Sequence, residues 1–261
     1  MSRDPGAGAT PPAEVVAAAG LCAGCAYADT FLSAGRCVPG DVCVRAHSGR
    51  QIDRFMRFNR DEAPNFVHDI FWERRAIAAR YAPLEHIRHL KHDPDEVVRR
   101  NVVLKLPEDE LADMIGDPDR EVRQSVAARL PVDLLARLMH DTDYIIRCTV
   151  ARRLPHRQLT RMAGDSEREV RKIVAGRLPP FALDCLADDE APEVRAVVAE
   201  RALPPLAARL LGDSEWWVRL AAVDNAPEDA LAALCEDPEP DVRAAVRARL
   251  QHAAAPSGDA S

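Results

Sequence analysis

Four cysteines crowd the N-terminal part of the chain in the pattern Cys22-x2-Cys25-x11-Cys37-x5-Cys43. A Cys-x2-Cys pair can reach one metal centre from a single turn, and the two later thiolates can complete a set of four. Four thiolates suit a tetrahedral zinc ion or an iron–sulfur cluster. The usual zinc ribbon carries two Cys-x2-Cys knuckles, and here there is one. The irregular spacing of Cys37 and Cys43 suits a small loop domain wrapped around its ligand. The neighbours Ala23, Gly24, Ala26, Val38, Gly40, Val42 and Val44 are small or apolar. Such surroundings admit close backbone approach and limit water, which tunes a bound cluster. On chemistry alone, zinc and an iron–sulfur cluster both stay open. His47 and His68 are minor alternative ligands. Cys148, Cys185 and Cys235 lie far apart and at different positions in the chain's repeat, and are expected to be small core or interface fillers. There is no Gly-x-Ser-x-Gly, no Gly-rich phosphate loop and no His-Glu-x-x-His, so an enzyme is not expected.

The elements that must position these thiols are written as a repeat. Asp93-Pro-Asp-Glu-Val-Val-Arg99 recurs every 24 residues without insertion. Asp69, Asp93, Asp117, Asp141, Asp165, Asp189, Asp213 and Asp237 open the copies, and Arg75, Arg99, Arg123, Arg147, Arg171, Arg195, Arg219 and Arg243 hold the seventh position. With the Asp as position 0, apolar residues fall at +5, +9 and +13, as in Val122, Val126 and Leu130. That spacing places them on one helix face. The Asp is expected to cap this helix, with Pro94, Pro118 and Pro238 at its first position. Pro at +14 ends it, as at Pro107, Pro131 and Pro155. A second apolar pair at +18 and +21 marks a one- or two-turn helix, possible as 3₁₀. Ala at +10 (Ala127, Ala151, Ala175, Ala199) allows close helix approach. No single copy can bury its apolar face alone, so the copies must stack. The expected fold is all-α: an α-solenoid of eight repeats, each a helix and a short (3₁₀) helix, behind a small N-terminal cysteine-ligated cluster domain. The expected division is a disordered tail over 1–13, the cluster domain over 14–68, the solenoid over 69–250 and a flexible tail over 251–261.

Composition agrees with a repetitive core. Among 261 residues aromatics are only 5%, and 20 prolines outnumber 12 glycines. Small side chains fill repeating layers, and prolines without glycines mark helix stops rather than hairpins. The net charge of -7 argues against nucleic acid as the partner. No apolar run is long enough to span a bilayer. With no secretory signal expected, the thiols are placed in a reducing cytoplasm. The Arg ladder at +6 lies at the edge of the apolar face, so pairing with the Asp ladder or with helix ends of the adjacent repeat is expected rather than a binding stripe. A second basic set at +12 (Lys105, Arg129, Arg153, Arg177, Arg201, Arg249) is expected at solvated helix ends. Between residues 44 and 92 the balance reverses, with ten Lys or Arg against six Asp or Glu. There, Gln51 to Asn59 reads as an amphipathic helix with Ile52, Phe55, Met56 and Phe58, expected to cover the cluster or dock it on the repeats. This basic stretch and the aromatic pair Trp216–Trp217 are candidate partner surfaces.

The repeats and the cysteines ahead of them resemble the leucine-rich repeat variant family, whose members include 4Fe–4S-binding proteins of nitrogen-fixing bacteria. The resemblance covers about residues 15 to 250. It implies a right-handed superhelix of alternating α and 3₁₀ helices. It further implies a [4Fe–4S] cluster on Cys22, Cys25, Cys37 and Cys43, in preference to zinc. The expected function is therefore an iron–sulfur helical-repeat interaction module with a protein partner, redox- or oxygen-responsive and linked to nitrogen fixation. Electron transfer to a docked redox partner and a zinc-capped scaffold are the alternatives. One departure is visible. The copy starting at Asp69 has Arg74 at +5, where the others have Val or Ile, and is expected to dock the cluster domain.

Overall fold

The computed structural model describes residues 20–254, with side chains as far as His252. The tail expected over 1–13 and residues 255–261 of the C-terminal tail lie outside the described residues. The chain forms two compact units that divide between Arg129 and Leu130. Among the described residues the secondary structure is helical, without a strand; Val38 and Val42 form an isolated bridge.

The longer helices, labelled in chain order, are α1 (Gly49–Phe58), α2 (Trp72–Tyr81), α3 (Glu96–Val103), α4 (Arg120–Arg129), α5 (Tyr144–Arg153), α6 (Arg168–Arg177), α7 (Pro192–Ala199), α8 (Trp216–Ala222) and α9 (Pro240–Ala254). From α2 onward, one falls in each 24-residue copy. The connecting legs are 3₁₀ at Glu108–Met114, Leu135–Leu138 and Pro180–Leu186. They mix α and 3₁₀ at Leu84–Ile87 and Arg88–His92, and are α-helical at Pro204–Leu210. In the first unit α1 packs on α2, α2 on α3 and α3 on α4. In the second, α5, α6, α7, α8 and α9 pack in succession. Helix α9 runs to Ala254, past the expected limit of the repeats at 250.

The apolar frame is the core. Val98, Val102 and Leu106 are fully buried, as are Val122, Val126 and Leu130. The +18 and +21 positions close the other side through Leu111 with Met114, and Leu183 with Leu186. The +10 alanines, Ala127, Ala151, Ala175 and Ala199, are fully buried where adjacent helices meet.

The polar frame differs from expectation in two respects. The frame Asp does not cap its helix. Asp93 Oδ1 accepts the N–H of Asp95, and Asp95 is the cap, accepting from Val97 and Val98. Asp143 likewise caps Ile145 after Asp141 accepts from Asp143 N. The reason is that the frame carboxylate is engaged by the preceding copy. Arg75 Nε and Nη2 reach Asp93 at 2.7 and 2.9 Å. The same two-pronged bond joins Arg99 to Asp117, Arg147 to Asp165, Arg171 to Asp189, Arg195 to Asp213 and Arg219 to Asp237. The third nitrogen of each Arg donates to the carbonyl of its own copy's Asp, as Arg171 Nη1 does to Asp165 O at 2.8 Å. One guanidinium thus staples a helix start to the next repeat in the geometry that favours Arg over Lys.

Most of the +12 set is likewise tied to the protein rather than left to solvent. Lys105 reaches back to Ala82 O, Arg129 to Leu106 O at 2.8 Å, and Arg177 to Ala151 O and Leu154 O at 2.6 and 2.8 Å. Asn225 takes the same place with Ala199 O at 3.0 Å. These side chains satisfy orphan carbonyls at the end of the preceding copy's helix, which water would otherwise have to serve.

Candidate metal centre

The segment that carries the cysteines has little regular structure of its own. Its backbone is bent by three glycines in the left-handed region, Gly24 (φ 66), Gly35 (φ 68) and Gly40 (φ 78), and no other described residue has a positive φ. Gly24 lets Cys25 N return to Cys22 O at 3.1 Å, which brings the first two thiols to one side of a tight turn. Gly40 turns the chain between Val38 and Val42, whose paired backbone bonds of 2.9 Å bring Cys37 and Cys43 back together. A short π-helical stretch, Ala28–Leu32, links the two halves and buries Phe31.

Helix α1 is the platform. Ile52, Phe55 and Met56 are buried, whereas Phe58, expected on the same face, is 65% exposed. Phe58 lies three residues past Phe55 but at the outer edge of the buried stripe. Phe55 meets Tyr27 at 5.3 Å and Phe31 at 6.0 Å, and Phe66 closes the group at 6.1 Å from Tyr27. Tyr27 donates to Glu62 at 2.9 Å, and burial followed by that bond pushes its pKa up to about 12.

Three polar ties fix the loops. Asn59 is fully buried; its Nδ2 donates to Arg36 O and Phe55 O at 3.0 and 2.9 Å, and its Oδ1 accepts Arg36 Nε at 2.9 Å. The Arg36 guanidinium also lies 4.0 Å from the Phe31 ring. Arg45 Nη1 donates to Ala23 O at 2.6 Å, tying the first cysteine turn to the turn that follows Cys43. Arg74, the departure at +5 of the first copy, pairs with Asp69 at 2.9 Å and donates to Val44 O at 3.3 Å. It therefore docks the cysteine segment on α2, as the irregular copy predicts.

The four N-terminal cysteines meet. Cys22, Cys25, Cys37 and Cys43 line one small pocket, walled by Leu21, Ala28, Pro39, Val42, Val44, Tyr27 and Phe55 and by no charged side chain. Cys43 is buried, and the other three are half-buried. Burial first, then the charges of Cys22, Cys25 and Cys43, raise the Cys37 thiol above its usual 9.0. Four thiolates so placed repel one another and call for cationic metal between them. The donor set, all sulfur in an apolar wall, fits an iron–sulfur group.

The remaining candidates lie elsewhere. His47 packs on Phe71 at 6.2 Å and His68 stacks on His89 at 4.5 Å, away from the cavity wall. Cys148 is buried as expected, with its thiol pushed up by burial. Cys185 is exposed rather than a filler, because it lies between the inward +18 and +21 positions on its short helix. Trp216 and Trp217 pack edge to face at 5.9 Å.

Comparison with known proteins agrees with this geometry. Residues 19–65 match the family model described as the leucine-rich repeat variant protein FeS4 cluster, and 120–143 match the leucine rich repeat variant model. A solved structure described as a leucine-rich repeat variant with a novel repetitive protein structural motif is 47% identical, with a TM-score of 0.83, over 87% of this chain and 97% of that one. The chain belongs to the leucine-rich repeat variant family. Its fold is accordingly that family's helical repeat, and its cysteine segment coincides with the family's FeS4 cluster domain. The uncharacterized 27.7 kDa protein in the nifB 3′ region of Rhodobacter capsulatus is 34% identical over 86 residues, which is 33% of this chain and 35% of that relative's length. No helix among the described residues is long and apolar enough to cross a membrane.

Sequence reasoning identified the four thiols of this leucine-rich repeat variant protein but missed Asn59, Arg36 and Arg45, which hold them. Gly24 inside Cys-x2-Cys was a readable signal for a left-handed turn. Asn59 was not, because an Asn after an amphipathic helix ordinarily reads as a helix end.

Proposed function

We propose that Cys22, Cys25, Cys37 and Cys43 ligate a [4Fe–4S] cluster, and that the protein is a non-enzymatic interaction module responsive to redox state or oxygen. The observation that carries this reading is the convergence of all four thiols on one uncharged cavity. A bound cluster supplies a one-electron redox centre. Everything else falls to the chain. Phe55, Val44 and Leu21 keep water from the inner sulfurs, and the turns at Gly24 and Gly40 set the sulfur positions. Arg74 ties Val44, next to Cys43, to the first repeat, so a disturbance of the cysteine segment is felt by the repeats.

Zinc is the poorer fit. Four thiolates also suit zinc, but residues 19–65 match a family described by an FeS4 cluster, which supports iron–sulfur. Transfer of electrons to a docked partner is the second reading, supported by the half-exposed Cys22, Cys25 and Cys37. The setting is nitrogen fixation in a reducing cytoplasm. The relative named for the nifB 3′ region supports the first part, and seven free cysteines agree with the second. A redox titration of the anaerobic protein followed by electron paramagnetic resonance tests the reading. A reversible one-electron signal is expected, lost in the Cys37→Ser variant. A cluster silent over the accessible range would refute a redox role.

A further inference from the structure

A patch on the outer side of the cluster platform has no role in the fold described above. Arg57 and Phe58 end α1, Arg60 follows them, and Arg80 and Tyr81 end α2. Arg60 lies 5.6 Å and Arg80 6.0 Å from the Tyr81 ring, and Arg57 lies 5.5 Å from the Phe58 ring. The frame arginines of the repeats are neutralised by carboxylates or spent on carbonyls. Arg57 and Arg60 make no hydrogen bond or ion pair among the described residues, and both are exposed. The carboxylates nearby are taken. Asp53 holds Arg80 and Tyr81 at 3.1 and 2.9 Å, Asp61 holds Arg36 at 3.4 Å, and Glu62 holds Tyr27 and Asn65. With Asp61 paired to Arg36, the three guanidiniums of Arg57, Arg60 and Arg80 outnumber the two carboxylates left near them, Asp53 and Glu62, and stand beside an aromatic ring that is 65% exposed. The chain as a whole carries -7, so this local sign is opposite to the rest.

We infer that this face docks an acidic electron-carrier protein. The inference rests on the redox reading of the cysteine centre. The charge excess selects an acidic partner and steers it at long range, while Phe58 supplies an apolar anchor of the kind that dominates small interfaces. The position selects a carrier. The inner side of α1 presents Phe55 to the thiol cavity, so a protein seated on the outer side is separated from it by one helix diameter, about 10 Å. Nucleic acid is disfavoured, since it needs a long run of phosphate contacts and meets an acidic molecule beyond the patch.

The test uses the full-length protein with its metal centre, purified without oxygen, and an acidic [2Fe–2S] ferredoxin as probe. Affinity is measured by calorimetry at low and high salt for the wild type, for Arg57→Glu with Arg60→Glu, and for Phe58→Ala. Arg137→Glu with Arg161→Glu, an equal charge change on exposed residues of the second unit, is the control. Binding that falls about tenfold or more in the first two variants and with salt, but much less in the control, is expected. Equal loss in the control would reduce the effect to net charge and overturn the proposal. Tighter binding of an oligo(dT) strand than of the ferredoxin would overturn it in favour of nucleic acid. Iron is measured in the same samples. Failure to dock by an iron-loaded protein counts against this surface, whereas absence of iron counts against the cluster reading on which it rests.

Discussion

At the residue scale the centre depends on groups that never touch a metal. Asn59 spends its whole amide on Arg36 and Phe55 with no access to water. Removing it leaves the Arg36 carbonyl and the Arg36 Nε short of partners, while Phe55 O keeps the backbone N–H of residue 59. Asn59→Ala is therefore expected to cost about 1–3 kcal/mol and to lower the fraction of chains that retain iron. Urea denaturation together with iron content checks this; an unchanged midpoint and full iron would refute it. The four thiols were legible because type and spacing alone restrict what they can bind. The support was not, because a buried amide matters only through partners 23 residues away in sequence. The irregular Arg74 lies between these cases. Its misfit to an apolar position marked a docking point, but nothing in the sequence named Val44 as the acceptor.

At the element scale each repeat is closed by one guanidinium. Arg171 and Asp189 have side chains 7% and 5% exposed and share two hydrogen bonds of 2.7 and 2.9 Å. Arg171→Ala leaves that carboxylate buried and unpaired, and a loss of about 3 kcal/mol is expected in chemical unfolding. Arg171→Lys should recover only part of it, since an ammonium cannot grip both oxygens and the Asp165 carbonyl together. Full recovery by Lys would contradict the stapling role. The same bonds set the response to acid. Burial raises the Asp165 carboxyl, but the Arg147 hydrogen bonds, the Glu167 N–H and the charges of Arg147 and Arg171 outweigh it and hold the group below its usual 3.8. Asp93 and Asp213 behave alike, and the Arg219 bond lowers Asp237. A carboxyl lowered by folding stabilises the fold above its unfolded value and ceases to do so as protons bind. Stability should therefore be lost as the pH falls below about 3.8, with several protons taken up together. A melting temperature flat from neutral pH down through this range would show that the ladder contributes little. The helix and its short partner were legible from period and proline. The cap was misassigned because a lone Asp before a helix looks like a cap until the preceding copy's Arg is placed beside it.

At the scale of the whole molecule, the repeat made the fold class legible without any structure. Two polar residues at fixed phase over eight copies leave little else for the chain to form. The relation of the cysteine segment to those repeats was less legible, since it hangs on single contacts such as Arg74 to Val44. The reversed charge of that segment relative to an acidic chain agrees with the proposed docking face beside the proposed metal centre. All of this turns on what the four thiols hold. Iron, acid-labile sulfide and zinc analysis of the anaerobically purified wild-type protein is the most direct test. The proposed [4Fe–4S] centre predicts a brown protein with about four irons and four sulfides per chain, both lost when Cys22, Cys25, Cys37 and Cys43 are replaced by Ser. A colourless protein carrying one zinc ion would contradict it.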